Sequence, residues 1–187
     1  MVGSSWVLQR IASEFNYSEV TFVGPPSDPS NTARVRIFTP TNEIPFAGHP
    51  TVGTAFLLGC RGTIFGKEAA GLMRFEEDAG LVEVKVLRNG SIITGASMRA
   101  PRDLEIGKDV DAEVIASCIS LRPEGIVSAH HKPVIASVGL PFAIAEIQSL
   151  EALGRAKPNS AALSPVFACA GKTDPPSLLF PLADLGG

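Results

Sequence analysis

The chain has 187 residues, 45% of them hydrophobic, and a formal net charge of -3. That length suits one domain, or one domain and part of another, and the apolar fraction supplies a packed core, which excludes disorder as the overall state. The acidic balance offers no general basic field for nucleic acid, and no apolar run reaches the ~18 residues that span a bilayer.

Residues Ser5 to Phe15 predict a helix, because Val7, Leu8, Ile11 and Phe15 fall on one face at a 3.6-residue period. The stretch "MVGSSWVLQRIASEF" has neither a basic leader nor a long apolar segment, so no secretory signal is expected. "VTFV" predicts a short strand closed by Gly24-Pro25-Pro26. "ARVRIF" predicts a second, with Val35 and Ile37 on one face and Arg34 and Arg36 on the other. Thr39-Pro40-Thr41-Asn42 supplies a turn. The next helix is expected to begin with Pro50 at its first position, where the missing N–H is no loss; His49 then becomes the N-cap. Val52, Ala55, Phe56, Leu57 and Leu58 leave this helix apolar on every side, so it is expected to be buried. Strands follow in "GTIFG", "GLMRFEE", "GLVEVKVLRNG" and "SIITGASM". The third alternates Val82, Val84 and Val86 with Glu83, Lys85 and Leu87.

Strands that outnumber helices around one apolar helix predict an α+β domain whose sheet curls round that helix. Asp109 to Ile119 reads as a closing helix and "RPEG" as a linker. "IVSAHHKPVIASV" and "PFAIAEI" are strand-like, and a short helix is expected near "SLEALGRA". This second block is too short to complete a domain like the first, and from Asn159 onward no period persists. The expected divisions are therefore a first domain at residues 1–122, the start of a second at 123–158, and an aperiodic tail at 159–187. Unpaired strand edges and an uncovered apolar face in the second block predict an oligomeric or poorly soluble chain, with a homodimer as one form of the association.

Cys60, Cys118 and Cys169 are far apart and odd in number, against a disulfide framework and in favour of a reduced, cytoplasmic setting. Cys60 and Cys118 read as buried small hydrophobes. His130-His131 would point to opposite faces of a strand, which is poor spacing for a metal. The glycines form neither a dinucleotide nor a phosphate loop. No metal and no cofactor is expected.

A helix start flanked by Ala47, Gly48 and Gly53 offers unpaired N–H groups and a partial positive charge to a ligand carboxylate, with His49 beside it. The alternative is that Gly48-His49-Pro50 only turns a corner and the ring caps the helix. Glu19, at the rim of "VTFV", is either a solvated residue or, if partly desolvated near a substrate, a general base. Glu43 is a weaker rival at the same rim.

These residues carry a resemblance. Ser18-Glu19 before Thr21-Phe22-Val23, the Arg36-Ile37-Phe38-Thr39-Pro40 run and the Pro45-Phe46-Ala47-Gly48-His49-Pro50-Thr51 run resemble, in order and spacing, the PhzF-like isomerase family of phenazine biosynthesis. "SVGLPFAIAEIQSLEAL" is similar to the start of that family's second domain, so the resemblance covers residues 6 to 158. It implies a diaminopimelate-epimerase-like fold, in which each of two domains wraps a mixed sheet round a central helix. Glu19 matches the proton-shuttling glutamate. Gly48 and His49, with Pro50 and Thr51 of the same motif, match the substrate-binding helix start. The implied chemistry is proton transfer on a small carboxylic acid related to dihydro-hydroxyanthranilate, with no metal or organic cofactor. The chain departs from the pattern in lacking an N-terminal Gly-Asn-Pro strand, in Val20 where threonine is usual, and in lacking the second domain's Glu-Asp-Pro-x-Thr-Gly-Ser motif. Truncation at both ends is the expectation. The chain is then read as an isomerase, or alternatively as a truncated non-catalytic paralogue that binds a small acid or a partner chain.

Overall fold

The computed structural model describes residues 4–69, 71–162 and 177–178. It divides into two compact units, Met1–Asp103 and Leu104–Gly187.

The first unit opens with helix α1 (Ser5–Phe15), ended by Asn16 in the left-handed conformation at φ 52°, its N–H returning to the carbonyl of Ala12. Leu8 and Ala12 are its buried residues, packed on Phe38, Val20 and Phe22. Val7, Ile11 and Phe15, expected on the buried face, remain exposed, because only this i, i+4 seam meets the strands beneath. Strands β1 (Val20–Gly24) and β2 (Ala33–Phe38) pair antiparallel with Val20 opposite Phe38. A short β3 (Glu43–Ile44) folds back on β2 and leads into helix α2 (Gly48–Arg61). A small hairpin, β4 (Thr63–Ile64) with β5 (Lys67–Glu68), follows. The meander β6 (Leu72–Glu77), β7 (Gly80–Asn89) and β8 (Ile92–Met98) completes the sheet.

The strand order is β1-β2-β6-β7-β8, with a parallel β2–β6 pair and antiparallel pairs elsewhere along the path. Helix α2 packs against β8 at one edge and β1 at the other, so the mixed sheet curls round it. The α+β class and the wrapped helix are as the spacing of elements predicts. Val82, Val84 and Val86 are all buried, as a period of two requires of a strand with one covered face. Contact between α2 and β7 is close at Gly59, where a Cβ would lie 3.1 Å from Val86 Cγ1.

Helix α2 is not buried on every side. Thr51, Thr54, Ala55 and Gly59 face the sheet, while Gly53, Leu57 and Cys60 form an exposed stripe. A sheet that wraps part of a helix covers part of its circumference, so the apolar residues opposite stay open. Cys60 is accordingly exposed, contrary to expectation, whereas Cys118 is buried.

The second unit begins with β9 (Glu105–Asp109) and helix α3 (Ala112–Cys118). The turn Pro123–Gly125 leads into β10 (Ile126–Val127), followed by β11 (Val134–Ser137), β12 (Pro141–Ile144) and β13 (Glu146–Ile147). Helix α4 (Leu150–Arg155) is capped by Ser149, whose hydroxyl accepts from the N–H of Ala152 at 3.1 Å. Ser177–Leu178 forms β14, parallel to β12 in the order β14-β12-β11-β9; most of the segment expected to be an aperiodic tail lies outside the described residues. The helix expected to close the first domain instead builds this second core. Val110, Ile115, Ala116 and Cys118 pack with Ile126, Ile135 and Ile147, so the units divide at Asp103, ahead of the expected boundary at residue 122. Among the described residues no helix is long and apolar enough to cross a membrane.

Candidate functional site

The first unit brings Glu19 and His49 together through two local choices of sequence. Val20 starts β1, so Glu19 sits one residue ahead of a paired strand. Thr54 and Thr21 hydrogen bond through their hydroxyls at 3.1 Å, docking the second turn of α2 on β1. His49, in that first turn, then reaches over the strand end, with Nε2 at 3.2 Å from Glu19 Oε2.

The two side chains differ in environment, 77% exposed for His49 and 20% for Glu19. Glu19 Oε2 is shut off from solvent, yet it makes no hydrogen bond among the described residues; the imidazole is near it without being aligned to it. A buried polar atom with no hydrogen bond typically costs roughly 1–3 kcal/mol, and a ligand proton is one way to supply the bond.

The helix start differs in detail from the expectation. Ala47, extended at φ -151°, is the N-cap; Gly48 is the first helical residue, and no side chain caps the turn. Pro50 therefore stands at the third helical position rather than the first. The physical reason is tolerance: every N–H in the first turn lacks an intrahelical acceptor, so a proline fits anywhere within it. The first helical hydrogen bond runs from Thr51 N–H to Ala47 O at 3.3 Å, leaving the N–H groups of Gly48 and His49 ahead of it. A Cβ on Gly48 would meet nothing within 4 Å, so the space beside its Cα is open.

Thr51, also expected among the substrate contacts, faces inward. It is fully buried, and its hydroxyl donates to Glu77 Oε1 at 2.7 Å. Glu43, the rival base at the rim, accepts from both Nε and Nη2 of Arg36 at 2.6 Å each and is held in that pair. The same Glu43 hydrogen bonds raise the Arg36 pKa further.

Glu77 was not foreseen. It is 8% exposed, its Oε2 is buried without a hydrogen-bond partner among the described residues, and burial pushes its carboxyl up to about 7 against the opposing hydrogen bond from Thr51. The signal lay in "LMRFEE": Met73, Phe75 and Glu77 share a face at period two, and Met73 and Phe75 are core residues.

The remaining histidines lie in the second unit. His130 Nδ1 is 2.8 Å from Glu146 Oε2, and His131 Nδ1 is 2.8 Å from the carbonyl of Lys132. Among the described residues no group of three or more His, Cys, Asp or Glu side chains is arranged to hold a metal ion.

The sequence profile of the phenazine biosynthesis-like protein family (PhzC-PhzF) matches residues 4–176. A trans-2,3-dihydro-3-hydroxyanthranilate isomerase of Pseudomonas fluorescens is 38% identical over 161 residues, covering 84% of this chain and 52% of that protein. An uncharacterized isomerase of Mesorhizobium japonicum is 37% identical over 159 residues, covering 84% and 51%. The crystal structure of the PhzF-family phenazine biosynthesis protein of Bacillus anthracis superposes with a TM-score of 0.68 at 28% identity, over 86% of this chain and 52% of that one. The chain thus spans about half the length of the curated relatives it matches. The epimerase-like α+β fold is shared with these proteins.

Proposed function

The chain belongs to the phenazine biosynthesis-like protein family, and from that premise we propose that it serves a cofactor-independent isomerisation. The reaction is proton transfer on a small carboxylic acid related to trans-2,3-dihydro-3-hydroxyanthranilate, the compound for which the Pseudomonas fluorescens relative is named, and it takes place in the cytoplasm. One observation carries the reading: the shielded Oε2 of Glu19, without a hydrogen bond among the described residues, lies 3.2 Å from His49 Nε2 at a helix start with no side-chain cap.

In this mechanism the substrate carboxylate docks on the N–H groups of Gly48 and His49, where the helix dipole favours negative charge, with the exposed imidazole as a hydrogen-bonding neighbour. Pro50 stiffens the turn, and Thr51 anchors it from the core side. Glu19, as carboxylate, removes a proton from an activated C–H of the bound acid. The electron pair of that bond enters the adjacent conjugated system. Glu19, now protonated, returns the proton to a different carbon. One C–H bond breaks and another forms, no electron is gained or lost overall, and the enzyme ends as it began.

Incubation of the chain with trans-2,3-dihydro-3-hydroxyanthranilate in deuterated water tests this. The expected result is an isomer carrying carbon-bound deuterium, with turnover falling by ~10²–10⁴-fold in Glu19→Gln, the range for removing a general acid or base. Isomerisation that survives Glu19→Gln unchanged would overturn the assignment. Binding without turnover is the result expected of a non-catalytic paralogue.

A further inference from the structure

We propose that Glu77 is a positioning residue for this site: its carboxyl group holds the first turn of α2 from within the core, through Thr51, and so sets where His49 and the Gly48 N–H stand relative to Glu19. The inference rests on the reading of the α2 start as the substrate site.

Two hydrogen bonds clamp the β6–β7 turn to the segment that launches α2. The N–H of Ala79 donates to Pro45 O at 2.9 Å, and the hydroxyl of Thr51 donates to Glu77 Oε1 at 2.7 Å. The first fixes the chain three residues before the helix begins; the second fixes the helix one turn in. Gly48, His49 and Pro50 lie between these two points. Phe46 and Thr51 are both buried, and the exposed Gly48 and His49 lie between them.

Stability alone does not account for a carboxyl group at this place. Glu77 is buried, and among the described residues its Oε2 has no hydrogen-bond partner and no cation is in hydrogen-bond contact with it. A pair of apolar side chains of similar size would fill the same volume with no polar atom left unsatisfied. What an apolar pair could not supply is direction. The Thr51–Glu77 bond fixes the rotation of the first turn about the helix axis, and a rotation of that turn swings His49 across the end of β1. The contact thus carries information about geometry at a cost in stability, as is common beneath sites that must be held in one arrangement.

The test uses the isotopically labelled chain, with anthranilate as the probe and two readouts: the ring resonances of His49 with the amide resonance of Gly48, and the thermal midpoint. In Glu77→Gln the side-chain carbonyl still accepts from Thr51, so the Gly48 and His49 resonances should stay near wild type and anthranilate affinity should be kept. The double variant Glu77→Leu/Thr51→Val removes the bond from both sides and leaves no buried polar orphan. It should melt at or above the wild-type temperature, yet show displaced Gly48 and His49 resonances and bind anthranilate ~10-fold more weakly, the scale of one lost hydrogen bond. A residue with only a structural role would lose midpoint and site together, and would not show a stable fold with a displaced site. The proposal is overturned if the double variant keeps wild-type Gly48 and His49 resonances, or if Glu77→Gln displaces them as far. Should the double variant fail to fold, Thr51→Val alone breaks the same bond at constant size and is judged on the same resonances. If anthranilate leaves Gly48 and His49 untouched in the wild-type chain, the substrate-site reading fails, while the resonances of the unliganded variants still decide the role of Glu77.

Discussion

Glu76 and Glu77 are neighbours in sequence with opposite fates. Because side chains alternate along β6, Glu77 points into the core and Glu76 points out, toward the loop before β2. Partial burial would raise the Glu76 pKa, but it is outweighed by hydrogen bonds from Asn31, Asp28 and Ser27, which hold the carboxyl at about 2. Glu77 has one hydroxyl partner, and burial pushes it to about 7. The sign of its effect on stability follows. The folded chain holds the Glu77 proton more tightly than the unfolded chain, whose value is near 4.5. Its contribution is fully present below pH 4.5 and is lost as pH rises through about 7. At 1.36 kcal/mol per pH unit, the loss is on the order of 3 kcal/mol. Urea unfolding at stepped pH between 4.5 and 8 should show a decline in wild type that is absent from Glu77→Gln. Parallel slopes in the two chains would show that Glu77 titrates normally.

Helix α2 contains glycines with separate tasks, and paired substitutions distinguish them. At Gly48 an added methyl meets nothing within 4 Å, so Gly48→Ala should fold as well as wild type, or gain the ~0.5–1 kcal/mol that alanine has over glycine in a helix. If the substrate carboxylate docks at this helix start, the added methyl crowds it, and anthranilate binding should weaken all the same. At Gly59 the methyl would lie 3.1 Å and 3.4 Å from the two Cγ atoms of Val86. Gly59→Ala forces Val86 to give way by a few tenths of an ångström, which offsets the helical advantage of alanine, so this variant should gain no stability over wild type, with the helix start left intact. Thermal midpoints and anthranilate titrations on both variants check the contrast. A Gly48→Ala chain that binds as wild type would count against docking at the helix start.

Over the whole molecule, large apolar side chains stay exposed in both units: Trp6, Phe15, Tyr17, Leu57, Leu72 and Ile92 in the first, Leu104 and Ile106 in the second. Single exposed apolar residues are ordinary, but β9, which carries Ile106, is also an edge strand of its sheet. Open edges and apolar faces favour pairing with another chain. We expect this chain to self-associate at micromolar concentration, with a homodimer as the simplest product. Sedimentation velocity over a tenfold concentration range measures it; a single monomeric boundary throughout would contradict the expectation.

What could be read from residue order was what depends on local periodicity. The period-two runs of β2, β6 and β7, the helices at α1, α2 and α4, and the pairing of small residues with His49 at a helix start all follow from which side chains alternate and which backbone groups a turn leaves free. The α+β class followed from counting those elements. What local pattern could not determine was how much of each apolar surface finds a cover. The tertiary structure left Val7, Ile11, Phe15 and the Leu57 stripe exposed, because the strands that would meet them reach only one seam of each helix. It moved α3 into the second core, because Ile115 and Cys118 find their partners in β10 and β11 and not in the strands before them. It tied Glu43 to Arg36 and left Glu19 Oε2 beside His49 with no hydrogen bond among the described residues, although both carboxylates stand at the same rim in sequence. It also placed Glu77 under Thr51, a contact across 26 residues. Burial and pairing are decided between segments far apart in the chain, and a residue's own neighbours in sequence carry no record of them.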